Sequence, residues 1–287
     1  MSRSQALVAI HLVAVFFGLC GILGELIQAD ASVITWGRSL FAVISLLVFS
    51  RLAGGRRIEK TALFTRWRAL LLSGAMLAVH WVTFFYSVKV GGIAVATLGF
   101  ASFPAFITFL EWALLREHVS RPEWLRLAIV SAGLVLVTPS FSLADRGTEG
   151  LLWGLLSGAT FGMLAVINRR SLTGLDAFRV AGAQNAVVLI LLSGWVLPHL
   201  GEVSVASWLW ILVLGIVCTG VAHWLFVSSL RQLPARTAGL VVALEPVYAI
   251  AFAWVLFGQE PSIRTVAGGA LMIGAIFSAS RAIRNAS

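Results

Sequence analysis

The chain has 287 residues and a net charge of +9, yet only 11% of its residues are charged while 59% are hydrophobic, and its mean hydropathy is +0.95. Soluble domains carry about 25% charged residues, so this composition argues against a soluble enzyme and for a polytopic membrane protein. The basic residues sit in short clusters between apolar runs, the pattern of topology signals and not of a nucleic-acid groove, so no nucleic-acid partner is expected.

Ten apolar runs approach the roughly 20 residues a helix needs to cross a bilayer: 6–27, 33–50, 69–88, 93–115, 125–141, 151–168, 178–197, 208–230, 237–257 and 265–281. The first run, after Arg3 and before Ala29-Asp30-Ala31, has the outline of a signal peptide. It is longer than the 7–15 residues, roughly, of a signal core, and Gly18, Gly21 and Gly24 suit a packed helix, so a retained span is expected. A charge inside a bilayer costs at least about 2.5–3.5 kcal/mol and usually marks a partner or an aqueous path. Glu25 ends the first span and Arg38 lies early in the second, so an ion pair is expected between them; the alternative is that Arg38 holds a ligand carboxylate.

The third span carries His80-Trp81, with His80, Phe84 and Ser87 on one helical face. The fourth contains Pro104 among Thr97, Phe100, Phe103 and Thr108, and ends near Glu111, which can reach the interface and is read as structural. The seventh contributes Gln184 and Asn185, neutral polar groups that bond either a substrate or neighbouring helices. The eighth begins with Trp208 and Trp210 in an aromatic belt and contains His223-Trp224. Two readings of His80 and His223 stand side by side: polar groups facing a shared cavity, or imidazoles bonded to adjacent helices. The ninth carries Glu245-Pro246, with Tyr248 and Phe252 on the Glu245 face. Proline removes one backbone donor, so kinks are expected at Pro104 and Pro246, with Glu245 near a gate. In the tenth, Ala270, Gly274 and Ser278 form a small-residue stripe suited to close packing. Cys20 and Cys218 lie deep in separate apolar runs and give neither a disulfide framework nor a metal spacing.

Lys and Arg accumulate on the cytoplasmic side of membrane proteins. With the N-terminus inside, 17 basic residues fall on the inner side and 3, Lys89, Arg146 and Arg264, on the outer; Arg38 lies within a span. Both termini are therefore expected in the cytoplasm. Landmarks also recur at about the same offset, drifting by single-residue gaps: His80-Trp81 and His223-Trp224 are 143 residues apart, Pro104 and Pro246 are 142 apart, Glu117 and Glu260 are 143 apart, and Gly133 and Gly274 are 141 apart. The chain reads as a duplication, residues 1–144 and 145–287, of five helices each. Five is odd, so the second unit enters the membrane from the opposite side, as in transporters that work by alternating access.

These residues carry a resemblance. The stretch SSLRQLPARTAGLVVALEPVYAIAFAWVLFGQEPS, Ser228 to Ser262, with its Leu-Glu-Pro at 244–246 and Glu260, resembles the EamA-type members of the drug/metabolite transporter superfamily. The first half matches through Pro104 and Glu117, with Phe103 standing where Glu245 does. Within that superfamily the chain looks most like the YddG-like amino-acid exporters. The resemblance implies an all-α integral membrane protein, ten helices as two inverted repeats around a central cavity, with the fifth and tenth helices outside it.

The expected function is export of small metabolites across a bacterial inner membrane, most of all aromatic or other apolar amino acids, by alternating access between the halves. Candidate cavity residues are His80, Trp81, Phe84, Phe100, Phe103, His223, Trp224 and Tyr248; candidate gating residues are Pro104, Glu245 and Pro246. The rival reading is a multidrug or quaternary-ammonium exporter, with Glu245 and aromatic faces holding cations. A membrane-embedded enzyme needs convergent acid, base or metal groups, which the scattered polar residues do not offer, so neither catalysis nor a cofactor is expected. Proton coupling and facilitated diffusion both remain open, as do monomer and homodimer.

Overall fold

A computed structural model describes residues 1–52, 64–137, 146–258 and 260–285. The division expected at 144/145 lies outside the described residues, as do Arg56, Arg57 and Lys60. Among the described residues the fold is helical throughout: α1 (Arg3–Leu26), α2 (Ala31–Leu52), α3 (Trp67–Phe100), α4 (Phe103–Ala113), α5 (Arg121–Val137), α6 (Arg146–Ser171) and α7 (Ala177–Val196). After a 3-10 turn at Leu197–Glu202 come α8 (Val205–Gly215), a π-helical turn at Ile216–Val221, α9 (Ala222–Leu230), α10 (Ala235–Val242), α11 (Glu245–Phe257) and α12 (Ile263–Asn285). Below, the end of the bundle where α1 begins is called basal and the other end distal.

Long leucine-, alanine- and valine-rich runs make these helices, and polar caps start several of them. At α1 the Ser2 hydroxyl accepts from the Gln5 amide (3.2 Å) while the Ser2 amide donates to the Gln5 side chain (2.7 Å), a reciprocal pair that satisfies two end groups. Asp176 caps α7 through the Arg179 amide at 3.2 Å. Within the spans, hydroxyls return to their own helix: Thr35 to the Ala31 carbonyl, Ser39 to Thr35 and Thr97 to Ile93. These hydroxyls thus enter an apolar bundle already satisfied.

The described helices fall on the ten expected runs, the fifth as far as Val137, but not as ten continuous helices; seven are long and apolar enough to cross a membrane. α3 holds the third span and the start of the fourth, with Gly92 (φ 82°, ψ 170°) between them. No atom crowds Gly92, so the left-handed backbone, and not space, is what calls for glycine there. The neighbours on α6 show the reversal. Going along α6 from Gly150 to Ser157, the partners before Gly92 run backward from Ser87 to His80. After Gly92 they run forward, Gly99 meeting Gly154 and Ser102 meeting Gly158.

The approach to α6 is close because Gly150, Gly154, Gly158 and Gly162 form one stripe along it. A Cβ on Gly154 would sit 3.0 Å from the Gly99 Cα and 3.1 Å from the Ala96 carbonyl oxygen. Backbone therefore rests on backbone, the contact that small residues permit between membrane helices.

The fourth and ninth spans are both broken. Helix α3 ends at Phe100 and α4 restarts at Phe103; α10 ends at Val242 and α11 restarts at Glu245, again 142 residues on. This corrects the expectation of kinks. Pro104 and Pro246 are each the second residue of a new helix, in a first turn whose amides have no intrahelical partner. There proline costs nothing and its fixed φ suits the start. The eighth span is likewise interrupted by its π turn.

Helices α5 and α12 pack mainly on each other, joined by Arg126 Nε to Ser278 Oγ at 3.1 Å. Ala270 faces an apolar groove beside Pro246, Ile250 and Trp254 of α11. Among the described residues neither helix supplies a side chain to the central cavity.

Candidate functional site

The broken helices meet at a small central cavity of about 20 Å³, room for about one water molecule. Phe17 and Cys20 of α1, Arg38 of α2, His80, Trp81, Phe84 and Phe100 of α3, and Glu245 of α11 line it. One cation, one carboxylate, one imidazole and a set of aromatic rings therefore share one space.

Arg38 is 1% exposed. It is held by the π turn of the eighth span. Thr219 Oγ1 accepts from Arg38 Nε at 2.7 Å and donates to the Leu214 carbonyl at 2.8 Å, a five-residue step that the widened turn allows. Arg38 Nη2 donates to the Cys218 carbonyl at 3.3 Å and to Cys20 Sγ at 3.6 Å. The guanidinium carbon lies 4.1 Å from the Trp81 ring centroid and 5.2 Å from that of Phe85, both cation–π distances. The expected pair with Glu25 does not form: Glu25 is exposed at the distal end of α1, while Arg38 turns inward to Thr219. The distal basic residue Lys89 instead donates to the Ile27 carbonyl at 2.6 Å.

Glu245 is 2% exposed and no hydrogen bond from a described residue reaches its Oε2. It is the first residue of α11, where the partial positive charge of the helix start favours a carboxylate.

The two histidines differ. His80 Nδ1 lies 2.7 Å from Ser157 Oγ and 3.2 Å from the Ser157 carbonyl. A carbonyl only accepts, so Nδ1 carries the hydrogen and Nε2 is left as acceptor. His223 Nδ1 lies 3.1 Å from Asn185 Nδ2, which also donates to the Ala181 carbonyl at 2.8 Å. That fixes Nδ2 as the donor, so His223 Nδ1 accepts and its buried Nε2 carries the hydrogen, with no partner among the described residues. His80 lines the cavity; His223 only touches it through the edge of Trp81, ring centroids 6.1 Å apart.

Three other expected cavity residues sit elsewhere. Trp224 stacks on Phe178 at 4.7 Å and lines a separate groove between α1, α7 and α9 at the basal end. Tyr248 is half-buried, its Cβ packed on Gly18 of α1. Phe103 is fully buried and stacks on Phe100 at 4.8 Å, just beneath the cavity wall.

Phe103 belongs to a cluster that the sequence reading missed. Phe161 of α6 sits at its hub, its ring 5.1 Å from Phe100, 5.1 Å from Phe103, 5.0 Å from Phe226, 6.0 Å from Phe17 and 4.9 Å from His80. Rings from the first, fourth, sixth and eighth spans thus pack below the cavity on its basal side. The signal available in the sequence was the α6 glycine stripe, since Ser157 and Phe161 ride on the same helix as Gly158 and Gly162. Gln184 is also committed to packing: its Nε2 donates to Ser73 Oγ at 2.7 Å and Asn168 Oδ1 at 2.6 Å.

At the basal end a charge cluster joins the two halves. Arg236 at the start of α10 lies 2.6 Å from Glu111, 3.2 Å from Glu117 and 2.9 Å from Glu123, and Glu117 also pairs with Arg170. The contact with Glu111 is an ion pair whose alignment falls short of a hydrogen bond. Burial alone would raise the Glu123 carboxyl, but bonds from the Ser120 hydroxyl and amide, with Arg236 and Arg126 nearby, hold it below the usual carboxylate range. Glu111, expected to be a structural residue that reaches the interface, is paired as a structural residue would be, but it is 4% exposed and does not reach water.

Comparison with known proteins places this geometry. The profile of the EamA-like transporter family matches residues 4–138 and again residues 148–281. The chain is 24% identical over 274 residues to the uncharacterized transporter YxxF of Bacillus subtilis (strain 168), covering 93% of this chain and 86% of that one. It is 24% identical over 218 residues to the pseudopaline exporter CntI of Pseudomonas aeruginosa (strain UCBPP-PA14), covering 74% of each. A protein of known crystal structure superposes with a TM-score of 0.76 over 96% of this chain and 98% of its own, at 17% identity.

Proposed function

This chain belongs to the EamA-like transporter family and so is a multi-pass membrane transporter, and we propose that it exports small amphipathic metabolites, aromatic or other apolar amino acids first among them. One observation carries the reading: two inverted halves each contain a helix broken at the same place, and both breaks border one aromatic-walled cavity. Broken helices at the interface of inverted repeats are where transporters bind substrate near the bilayer midplane. A 20 Å³ cavity is too small for an amino acid, so the halves must part to admit one.

In this reading the basal end is the cytoplasmic end of a bacterial inner-membrane protein with both termini inside. The Phe161 cluster and the Arg236 ion pairs close the path to the cytoplasm. His80, Trp81, Phe84 and Phe100 form the substrate walls, Phe103 backs them, and the breaks before Pro104 and Pro246 are the hinges. His223, Trp224 and Tyr248 support the site by packing.

The test is flux into proteoliposomes across a panel of amino acids and organic cations. Accelerated movement of phenylalanine, methionine or threonine is the expected result. Movement of organic cations with no amino acid moved would replace this reading with a multidrug exporter, which the Glu245 carboxylate beside Trp81 and Phe100 would suit. No flux of either class from folded protein would remove the transport assignment proposed here.

A further inference from the structure

We propose that the central cavity is a clamp for a zwitterion: Arg38 takes the substrate's carboxylate, Glu245 takes its ammonium, and Trp81, Phe84 and Phe100 receive the apolar part. The inference rests on the export reading above and narrows its substrate to molecules with both charges free.

Arg38 and Glu245 line the same cavity yet form no ion pair with each other or with any other described residue. Buried charges are normally paired, because an unpaired one is costly in an apolar interior. Each group here is only partly satisfied. The Arg38 Nε and Nη2 are used by Thr219, Cys218 and Cys20, while Nη1 has no partner among the described residues. The Glu245 Oε2 is fully buried and has none. A guanidinium and a carboxyl, each with spare capacity toward one space, are the complement of a molecule carrying an ammonium and a carboxylate a few ångströms apart.

The anchoring differs in a useful way. The guanidinium is fixed in orientation by the π turn and by the Trp81 face, so it presents a rigid donor edge suited to a carboxylate. Glu245 stands at a helix break, so the anionic arm of the clamp is carried by a hinge. Closing that hinge on an ammonium would couple binding to the movement of α11. A purely cationic ligand would leave the Arg38 donors facing a like charge, and a purely anionic one would leave Glu245 facing a like charge; either loses one full arm.

The first arm of the experiment needs no mutation. Counterflow of radiolabelled phenylalanine, and separately of methionine, is measured in proteoliposomes holding the full chain, with three competitors for each: the free amino acid, its methyl ester and its N-acetyl derivative. The ester keeps the ammonium and blocks the carboxylate; the N-acetyl form does the reverse. A site built around a polar group rejects analogues that leave that group unpaired, so each blocked form should compete at least about tenfold more weakly than the parent. Glu245→Gln should then lose discrimination against the N-acetyl form while keeping it against the methyl ester, a pattern a merely structural role would not produce. Either blocked form competing within tenfold of the parent refutes the clamp and leaves amino-acid transport standing. Absence of any amino-acid flux refutes the export reading and the clamp together.

Discussion

Arg236 ties the basal ends of the two halves, and its replacement by Ala has a calculable cost. Its three carboxylate partners are not equivalent. Glu117 and Glu123 have side chains 30% and 32% exposed; such pairs are worth about 0–1 kcal/mol each, and water takes over when they are cut. The Glu111 side chain is 5% exposed, 2.6 Å from Arg236 Nε. Removing Arg236 leaves that carboxylate without its near partner, with only the more distant Arg170 to offset it, at a cost of about 3–5 kcal/mol for a buried pair. Arg236→Ala should therefore destabilise by about 4 kcal/mol, most of it through Glu111. Glu111→Gln on the Arg236→Ala background should recover about half, because it removes the charge that lost its partner. Reversible unfolding titrated with sodium dodecyl sulfate and followed by tryptophan fluorescence measures all four corners of the cycle. An Arg236→Ala loss below about 1 kcal/mol, or no recovery from Glu111→Gln, would show that the cluster is a surface feature and not a tie between the halves.

A reporter active only in the cytoplasm should be active when fused after Ser287, and a reporter active only in the periplasm should be silent; the opposite result would break the inverted topology. Pro246→Ala should lower initial flux more than folded yield, since a first-turn proline gives up no hydrogen bond while alanine lets α10 and α11 merge across the break; an equal loss of both would assign Pro246 to folding alone. Phe84→Ala and Phe100→Ala should re-rank substrates by about 1–3 kcal/mol without abolishing flux, measured as ratios of initial rates; unchanged ratios would place both rings outside the path. The Glu123 carboxyl is held below its usual range, so its contribution is present at neutral pH and fades as pH falls through that depressed value. Glu123→Gln should differ from the parent in unfolding at pH 7 and converge with it once the pH falls below that depressed value, the difference being small for a side chain 32% exposed.

The spans and the duplication were legible because both are written in one-dimensional signals: run length, basic residues and recurring landmarks. The 142-residue offset of the prolines even located the two helix breaks, although proline in a span reads as a kink and here begins a helix. The partner of Arg38 was not legible. Glu25 is 13 residues away in sequence and has the opposite charge, whereas Thr219 is 181 residues away and neutral. It reaches Arg38 through a π turn, a local widening with no sequence mark as plain as a proline. Phe161 escaped for a related reason. One phenylalanine among 18 has no signal of its own, and its place at the hub follows from how closely the glycine stripe lets α6 approach the broken fourth span.

The two halves share a backbone plan and divide the chemistry. His80 and Trp81 build the cavity, while His223 binds Asn185 and Trp224 stacks on Phe178 away from it. Glu245 opens α11, and the residue that opens α4, 142 positions earlier, is Phe103. Had duplication kept both charges in both halves, the cavity would hold two guanidinium groups and two carboxylates, which would pair with one another and close the site on itself. Keeping the cation only in the first half and the carboxylate only in the second leaves one of each. The attraction between them can then be met by a ligand that touches both halves at once, and such a ligand favours the state in which the halves approach. On the proposed clamp, the asymmetry between Phe103, which opens α4, and Glu245, which opens α11, is what would let a single dipolar molecule hold a symmetric pair of hinges shut.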